Sequence, residues 1–257
     1  MLRIENLTKI FGKGTINEMK ALDKVDFHGK PGDFITIIGS NGAGKSTLMN
    51  SIAGVFPVDS GKIIIDGKDI SRMPEHKRAK FIGRVFQDPL KGTAFDMTIE
   101  ENLSIAYNKT RSRGLQAGIS RADREIFREK LNLLGMGLEN RMKEKVRLLS
   151  GGQRQALTLF MAVIAKPRVL LLDEHTAALD PSAARKVLEL TDYFAQDGNM
   201  CTMMITHNMK AALEHGNRTI LMKDGQIRMD ISGEERDGMT VEKLVEKFEI
   251  DNDRMLL

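Results

Sequence analysis

Apolar and polar positions alternate along the N-terminal part of the chain with the two-residue period of β-strands. Strand-like runs cover residues 2–7, 21–27 and 34–38. Two Asp-Gly pairs, at 66–67 and 224–225, each lie beside a further strand-like run. Because Asp-Gly favours the positive φ angles of a two-residue turn, we predict a β-hairpin at each pair.

The pattern becomes helical and polar between residues 88 and 166. Strand signals return at 169–172 and 202–205, with helical spacing over 182–196 between them. Strands that alternate with helices predict a mainly parallel sheet. Near the C-terminus, apolar residues at helical spacing predict a helix with Thr240 as its N-cap.

Composition limits the class of protein. The chain has 257 residues, of which 41% are hydrophobic and 29% charged, as in ordinary soluble globular proteins. No apolar run approaches the ~20 residues that cross a bilayer, and the first residues lack the apolar core of a secretory signal. The single cysteine, Cys201, excludes an intramolecular disulfide and is predicted to be a small buried hydrophobic residue, as fits a reducing cytosol.

The net charge of +4 raises the question of a nucleic-acid partner. Basic residues are spread along the chain, with one denser segment whose members are Lys109, Arg111, Arg113, Arg121, Arg124 and Arg128. Phe127 is the one aromatic residue within this segment, whereas a base-stacking surface would require several aromatic residues among the basic ones. We therefore predict a solvated loop and helix face, and no nucleic-acid partner.

Residues 39–47 carry the main functional motif. Their sequence, G-S-N-G-A-G-K-S-T, fits G-x-x-x-x-G-K-[ST] and lies between a strand-like run and a helix-like segment. In such a loop, backbone N–H groups and the N-terminus of the following helix surround phosphates, while Lys45 neutralises them. A chance glycine-rich turn is the alternative, and the strand–helix context disfavours it. The predicted ligand is a nucleoside triphosphate, contacted by Gly39, Ser40, Asn41, Gly42, Ala43, Gly44, Lys45, Ser46 and Thr47.

The apolar run at 169–172 ends in two carboxylates, Asp173 and Glu174. A strand buried on both faces ends at the sheet edge where α/β folds bind ligands. Asp173 is predicted to hold Mg²⁺, directly or through water, together with the Ser46 hydroxyl, and Glu174 to polarise the attacking water. A capping carboxylate pair is the alternative, which the phosphate loop disfavours.

Residues 149–153, Leu-Ser-Gly-Gly-Gln, precede a helix-like segment at 154–165. A serine cap followed by two glycines at a helix start provides a second anion site; a well-capped helix is the simpler alternative. Two phosphate-binding helix starts in one chain suggest that the second binds nucleotide held by another subunit. Its candidate residues are Ser150, Gly151, Gly152 and Gln153.

The phosphate loop, Leu-Ser-Gly-Gly-Gln and Leu-Leu-Leu-Asp-Glu in this order resemble the nucleotide-binding subunit of an ATP-binding-cassette (ABC) protein, over roughly residues 2–230. The resemblance implies an α/β fold: a P-loop NTPase core with a mainly parallel sheet, an N-terminal antiparallel β subdomain and an inserted helical subdomain. The core would comprise residues 1–87 and 166–257, and the helical signature subdomain residues 88–165. ATP and Mg²⁺ are the implied cofactors, and hydrolysis of ATP to ADP and phosphate is the implied reaction.

Four further residues match functional positions of the family. Phe11 resembles the aromatic residue that stacks on adenine, although tyrosine is more usual there and a core position is the alternative. Gln87 resembles the glutamine that senses magnesium and the γ-phosphate and joins the helical subdomain. Asp180 resembles the aspartate that acts across the dimer, and His207 the switch histidine on the γ-phosphate.

One position departs from the family pattern. After Glu174 the family usually has proline, whereas this chain has His175. Proline would fix φ, so histidine is expected to leave the turn freer and to add a titratable group. The Asp-Glu-His-Thr variant resembles a bacterial subgroup whose partners are a membrane permease and a substrate-binding lipoprotein, several linked to aromatic amino acids.

The resemblance therefore predicts the ATP-hydrolysing subunit of an ABC transporter. Two copies would form a homodimer, and a separate permease would dock on residues 88–165, with a solute-binding protein acting through it. Uptake is favoured over export, amino acids are one candidate solute class, and the expected location is cytoplasmic, on the inner face of the cell membrane. The alternatives are an exporter or lipoprotein-release ATPase, or a soluble cassette ATPase that moves no solute.

Overall fold

The structure is a computed structural model that describes residues 1–110, 119–196 and 199–253. Arg111 and Arg113 of the basic segment lie outside the described residues. Within these ranges, none of the helices combines the length and the apolar character that a bilayer crossing requires.

The described residues form two β-sheets with helices around them. The strands are β1 (Leu2–Phe11), β2 (Met19–Gly29), β3 (Phe34–Ile38), β4 (Ser60–Ile65), β5 (Lys68–Asp69), β6 (Ile82–Val85), β7 (Val169–Asp173), β8 (Cys201–Ile205), β9 (Arg218–Lys223) and β10 (Gln226–Ser232). The α-helices are α1 (Lys45–Ala53), α2 (Glu75–Arg78), α3 (Ile99–Tyr107), α4 (Arg121–Asn132), α5 (Gly151–Val163), α6 (Pro181–Ala195), α7 (Met209–Glu214), α8 (Glu234–Asp237) and α9 (Val241–Asp253). Short 3₁₀ helices cover Pro89–Gly92, Asn108–Thr110, Leu138–Asn140 and Val146–Leu148.

The larger sheet has the order β10-β9-β3-β8-β7-β6, and all its neighbours pair in parallel except the β9–β10 hairpin. The smaller sheet, β2-β1-β4-β5, is antiparallel. The mainly parallel core and the N-terminal antiparallel sheet predicted from the sequence are therefore confirmed. Because β3, β8 and β7 are adjacent and parallel, the segments that follow them meet at one edge of the sheet.

Both predicted hairpins are present. Asp66 and Gly67 have φ angles of 49° and 78°, and Asp224 and Gly225 have 49° and 73°. Positive φ at both central residues is the turn geometry that suits the right-handed twist of the flanking strands. Asp-Gly satisfies this geometry because glycine has no Cβ and aspartate tolerates the left-handed region.

The core lies on both faces of the larger sheet. One apolar cluster fills the space around α1 and the two sheets, and the other joins α3–α6 to the opposite face. Leu170 and Leu171, adjacent on β7, belong to different clusters, which explains the continuous apolar run in that strand. Cys201 is fully buried in the first cluster, as predicted, and burial raises the pKa of its thiol to about 12.

A buried arginine fixes the C-terminal end of α1. The guanidinium of Arg78 donates hydrogen bonds to the carbonyl oxygens of Ser51 and Ile52, at 2.7 and 2.8 Å, and to those of Met73 and Ser71. The bonds to Ser51 and Ile52 satisfy carbonyls in the last turn of α1, where a helix leaves them without intrahelical partners. Arg78 therefore anchors the helix that follows the phosphate loop.

Candidate nucleotide site

The phosphate loop connects β3 to α1, as the sequence predicted. Two of its glycines are required by close packing: a Cβ at Gly39 would overlap the carbonyl oxygen of Met222, and one at Gly44 would lie 2.6 Å from that of Ala21. Both glycines also have positive φ, at 151° and 99°. The loop thus takes its shape from backbone contacts with β9 and β2, which side chains at these positions would prevent.

Lys45 lies beneath the loop and is only 6% exposed. Its Nζ donates hydrogen bonds to the carbonyl oxygens of Gly39 and Ser40, at 2.8 and 2.9 Å. Burial lowers the pKa of Lys45, and the nearby carboxylates of Glu174 and Asp173 oppose that shift. The ammonium group is thereby held against the loop that surrounds the candidate phosphate site.

Asp173, at the end of β7, lies across from the start of α1. Its Oδ1 accepts a hydrogen bond of 3.4 Å from the Ser46 hydroxyl. Burial raises the pKa of Asp173, and the positive charge of Arg84 opposes the increase. A hydroxyl and a carboxylate are the hard oxygen ligands that Mg²⁺ prefers, with water and substrate phosphate completing its shell. The donor set therefore fits a magnesium ion.

Gln87 follows β6, the strand that pairs with β7 through Val85 and Leu172. The side chain of Gln87 is exposed, two residues beyond the end of the strand. It therefore follows the same sheet edge as Asp173 and remains a candidate for the magnesium site.

Glu174 and His207 form a short polar contact: Oε1 and Nε2 lie 2.6 Å apart. The two residues follow β7 and β8, which pair in register at Asp173 and Ile205. Glu174 has a φ of 47°, a left-handed conformation that costs a non-glycine residue ~1–2 kcal/mol. Its amide donates to the carbonyl of Ile205 at 3.2 Å. The backbone at Glu174 is therefore strained in the conformation that brings its carboxylate beside His207.

The Leu-Ser-Gly-Gly-Gln segment begins α5. The Ser150 hydroxyl accepts from the amide of Gln153, and the Gln153 side chain accepts from the amide of Ser150, both at 3.2 Å. This capping box starts the helix at Gly151 rather than at the predicted residue 154, because Ser150 already satisfies the first amides. A Cβ at Gly152 would lie 2.7 Å from that of Ala183, so glycine there permits the close approach of α6.

Asp180 lies beside this segment, at the N-cap of α6. Its Oδ1 accepts hydrogen bonds from the amides of Ser182 and Ala183, both at 3.0 Å. The side chain of Asp180 is exposed, as is that of Ser150. Ser150 and Asp180, two of the residues predicted to act across a dimer, therefore lie on the surface at the neighbouring starts of α5 and α6.

Phe11, at the end of β1, is partly buried. Its ring packs edge-on against Phe56 with 5.2 Å between centroids, and the Lys9 ammonium lies 5.2 Å from the Phe11 centroid. The ring is thus held in place on one side by an aromatic neighbour. Stacking on adenine stays a prediction.

His175 differs from the sequence expectation. It is 2% exposed, and its Nε2 lies 3.0 Å from the hydroxyl of Thr191 on α6. Burial lowers the pKa of His175 to about 4, so the ring is neutral at physiological pH. The expectation of a freer turn with an added titratable group was wrong, because the imidazole packs inward and bonds to a helix.

Sequence reasoning also missed Arg84. This β6 residue donates a 2.6 Å hydrogen bond to Asn50 on α1, and its guanidinium lies 4.4 Å from the ring centroid of Phe86. Burial raises the pKa of Asp173, and the charge of Arg84 opposes that rise. The sequence signal that could have identified Arg84 is a cation within an otherwise apolar strand, Ile-Gly-Arg-Val. The place of Arg84 near Asp173 depends on the pairing of β6 with β7.

The helix that follows His207, α7, is anchored at its far end. His215 Nδ1 lies 2.7 Å from Asp192 Oδ2 on α6. The hydrogen bond to Asp192 raises the pKa of His215. The folded state therefore holds this proton more tightly than the unfolded chain does.

Replacing His215 with glutamine is expected to lower the free energy of unfolding by about 1.5 kcal/mol at about pH 6, and by less at about pH 9. The stabilisation from the raised pKa is complete below about pH 6.5 and is lost as the pH rises through the folded-state value. Denaturant unfolding at both pH values measures the free energy of unfolding. Asp192→Asn is expected to show the same loss and the same pH dependence as His215→Gln. An equal loss at both pH values contradicts the assignment.

Comparison with known proteins places this site in a family. A family model described as "ABC transporter" matches residues 22–177. The chain is 43% identical, over 97% of its length, to the tyrosine transport ATP-binding protein of Clostridioides difficile (strain R20291), of which 99% is covered. It is 32% identical, over 89% of its length, to an energy-coupling factor transporter ATP-binding protein of Clostridium tetani (strain Massachusetts / E88), of which 78% is covered.

Solved structures of ATP-binding cassettes are also similar to this chain. A dimeric ATP-binding cassette, MJ0796, in a post-hydrolysis state bound to ADP and Pi, has a TM-score of 0.74 and 28% identity, with 90% of this chain and 98% of that chain covered. The ADP conformation of the cassette MJ1267 has a TM-score of 0.76 and 28% identity, with 95% and 98% covered.

The fold and site thus define an ATP-hydrolysing cassette of the P-loop class. The chain belongs to the ABC transporter family, in which it is an ATP-binding subunit. The family and fold class predicted from the sequence are confirmed.

Proposed function

We propose that this chain powers solute uptake, with two copies hydrolysing ATP beneath a separate membrane permease. The observation that carries the hydrolytic part is the contact of 2.6 Å between Glu174 and His207, beside the Ser46–Asp173 pair. In this proposal the three groups at this sheet edge are a candidate base, a histidine that can hold it, and oxygen ligands for a cation. Activation of water next to bound phosphate needs these three groups together.

In this proposal, Lys45 and the backbone amides of residues 39–47 bind the phosphates of ATP. Mg²⁺, held by Ser46, Asp173 and Gln87, would neutralise developing negative charge on the phosphates. Glu174 accepts a proton from the attacking water, and His207 keeps that carboxylate aligned. Phe11 stacks on the adenine. Catalysis then rests mainly on positioning and electrostatic stabilisation.

The site is proposed to be completed by a second copy of the chain. Ser150, Gly151, Gly152 and Gln153 of one subunit would bind the γ-phosphate held by the other, and Asp180 would act across the same interface. Two features support this arrangement: Ser150, Gly151 and Asp180 are exposed at the adjacent starts of α5 and α6, and the cassette MJ0796 is described as dimeric. Extra contacts with the γ-phosphate in the closed dimer would let hydrolysis reopen it.

The variant Ser150→Asp is expected to block the ATP-dependent dimer while leaving nucleotide binding to the monomer intact. Aspartate caps a helix as well as serine does, but it places a negative charge against the partner's γ-phosphate. Ser150→Asn is the matched control, since it caps the helix without charge. Light scattering with ATP measures the size of each variant, and calorimetry measures its affinity for ATP. A Ser150→Asp protein that forms the ATP-dependent dimer normally would contradict the composite site.

The permease is proposed to dock where the helical segment meets the rest of the chain. We divide the chain into an ATP-binding core, residues 1–87 and 166–257, and a helical signature subdomain, residues 88–165. A cavity of about 320 Å³ lies between them. Its lining includes three cations, Arg84, Lys91 and Lys109, and one carboxylate, Glu75. We therefore expect an acidic segment of the permease to enter it.

Uptake of an amino acid is the proposed task. The support is the 43% identity to a protein described as a tyrosine transport ATP-binding protein, which makes tyrosine the first solute to test. An extracytoplasmic solute-binding protein would deliver it to the permease, and the chain would lie in the cytoplasm on the inner membrane face.

The test is co-purification from detergent extract of the native cell, followed by reconstitution into liposomes. Recovery of an integral permease, with ATPase activity stimulated by a loaded solute-binding protein and tyrosine accumulating inside, supports uptake. Solute movement in the opposite direction, or release of lipoprotein, supports the exporter alternative. Recovery of a soluble scaffold as the sole partner rejects the transport proposal.

A further inference from the structure

The side chain of His175 takes part in a defined chain of hydrogen bonds. The hydroxyl of Thr191, which is fully buried, donates to the carbonyl oxygen of Val187 at 2.8 Å. A hydroxyl has one proton, so its oxygen is left to accept the second bond. The Nε2 of His175, 3.0 Å away, is therefore the protonated nitrogen and donates to Thr191.

The residue before His175 needs such support. Glu174 has a φ of 47°, a conformation that persists in a non-glycine residue only where the surroundings enforce it. Two backbone bonds act on the turn: the Glu174 amide donates to Ile205, and the Glu174 carbonyl accepts from Ala177 at 3.0 Å. The first ties the residue after β7 to the end of β8, and the second closes the turn locally. The bond from His175 is different, because it connects the turn to a helix.

That helix also holds the other end of the turn. α6 begins at Pro181, and Asp180 caps it by accepting from the amides of Ser182 and Ala183. Residues 175 and 180 are thus both bonded to α6, one to its interior and one to its start. The connection between the candidate base and the residue proposed to act across the dimer is fixed at both ends.

We propose that His175 is a positioning residue for ATP hydrolysis: its hydrogen bond to Thr191 holds the left-handed turn that directs the Glu174 carboxylate towards His207 and the phosphate site. This inference rests on the role proposed above for Glu174. His175 touches neither nucleotide nor attacking water. It acts through the backbone of the preceding residue, so its loss should change the rate of hydrolysis more than the affinity for ATP.

The test uses the full chain and replaces the acceptor, not the histidine alone. Thr191→Val keeps the shape of the side chain and removes the hydroxyl, whereas Thr191→Ser keeps the hydroxyl. We expect kcat for ATP to fall about tenfold in Thr191→Val, since small misplacements of a reacting group have large effects on rate. KM should change little, and Thr191→Ser should retain the wild-type kcat. The unfolding midpoint of Thr191→Val should fall, because the buried His175 N–H loses its acceptor, so rates are compared well below that midpoint.

The variant His175→Leu and the double variant of His175→Leu with Thr191→Val complete a double-mutant cycle. If the two residues act through one bond, the double variant loses no more activity than the worse single variant. A Thr191→Val protein with wild-type kcat, a Thr191→Ser protein as slow as Thr191→Val, or fully additive losses would each overturn the proposal.

Glu174→Gln in the same assay distinguishes failure of the role proposed for Glu174 from failure of the role proposed for His175. If Glu174→Gln hydrolyses ATP normally, the proposed role of Glu174 is wrong and the role of His175 fails with it. If Glu174→Gln is inactive while Thr191→Val and His175→Leu turn over at the wild-type rate, the role of His175 alone is rejected.

Discussion

Replacing Glu174 with glutamine is expected to lower kcat for ATP hydrolysis by at least ~100-fold and to leave a stable dimer that forms only with ATP. Glutamine fills the same space and can still hydrogen bond to His207, but its amide cannot accept a proton from water. The 2.6 Å contact between Glu174 and His207 and the strained turn that presents it give this carboxylate the best placement for that step. Because ATP stays intact, the closed state should persist.

Turnover by phosphate release and size by light scattering measure the two effects. Glu189→Gln is the matched control, since this carboxylate lies on the exposed side of α6 and its side chain is 60% exposed. It should behave as the wild type. A Glu174→Gln protein that remains monomeric with ATP and continues to hydrolyse it would remove both Glu174 from the mechanism and the composite dimer site from the proposal.

Replacing Lys45 with alanine is expected to weaken ATP binding by at least ~100-fold, or about 2.7 kcal/mol. The lysine is 6% exposed and is held by two carbonyl oxygens of the loop. Its charge is therefore already desolvated and aimed at the phosphate site, where an ammonium–phosphate bond is strong. Without it, the nearby carboxylates of Asp173 and Glu174 would repel the phosphates.

Calorimetric titration with ATP and Mg²⁺ measures the affinity, and circular dichroism establishes that the variant is folded. Lys130→Ala, on the exposed face of α4, is the control and should bind ATP as the wild type does. An unchanged affinity in a folded Lys45→Ala protein would contradict the assignment of residues 39–47 as the phosphate-binding loop.

Local sequence patterns predicted much of the fold. The alternation in residues 2–38, the Asp-Gly pairs and the apolar runs at β7 and β8 each correspond to the elements observed. These features are local: a hairpin turn depends on the φ preferences of two residues, and a strand buried on both faces needs apolar residues at every position. The Ser150 cap is also a local feature that the sequence predicted. The helix begins at Gly151 and not at residue 154, because the capping box satisfies the first amides.

His175 illustrates where such reasoning failed. Comparison with proline suggested a looser turn, because the substitution removes a covalent restraint. The partner that restores the restraint, Thr191, lies sixteen residues away on a helix face. Whether a histidine points outward or packs against that helix depends on the packing of α6 over the turn, which leaves no periodic signal near residue 175.

The sequence by itself determined the presence of a phosphate loop, the order of the functional motifs and the family, since each is specified by a few residues at fixed spacing. The tertiary structure alone decided that Glu174 reaches His207, that Asp173 meets Ser46, that Arg84 faces this site and that His175 bonds to Thr191. These contacts join residues that are distant in sequence. They depend on the strand order β9-β3-β8-β7-β6, which is set by packing of the whole sheet and not by any local preference.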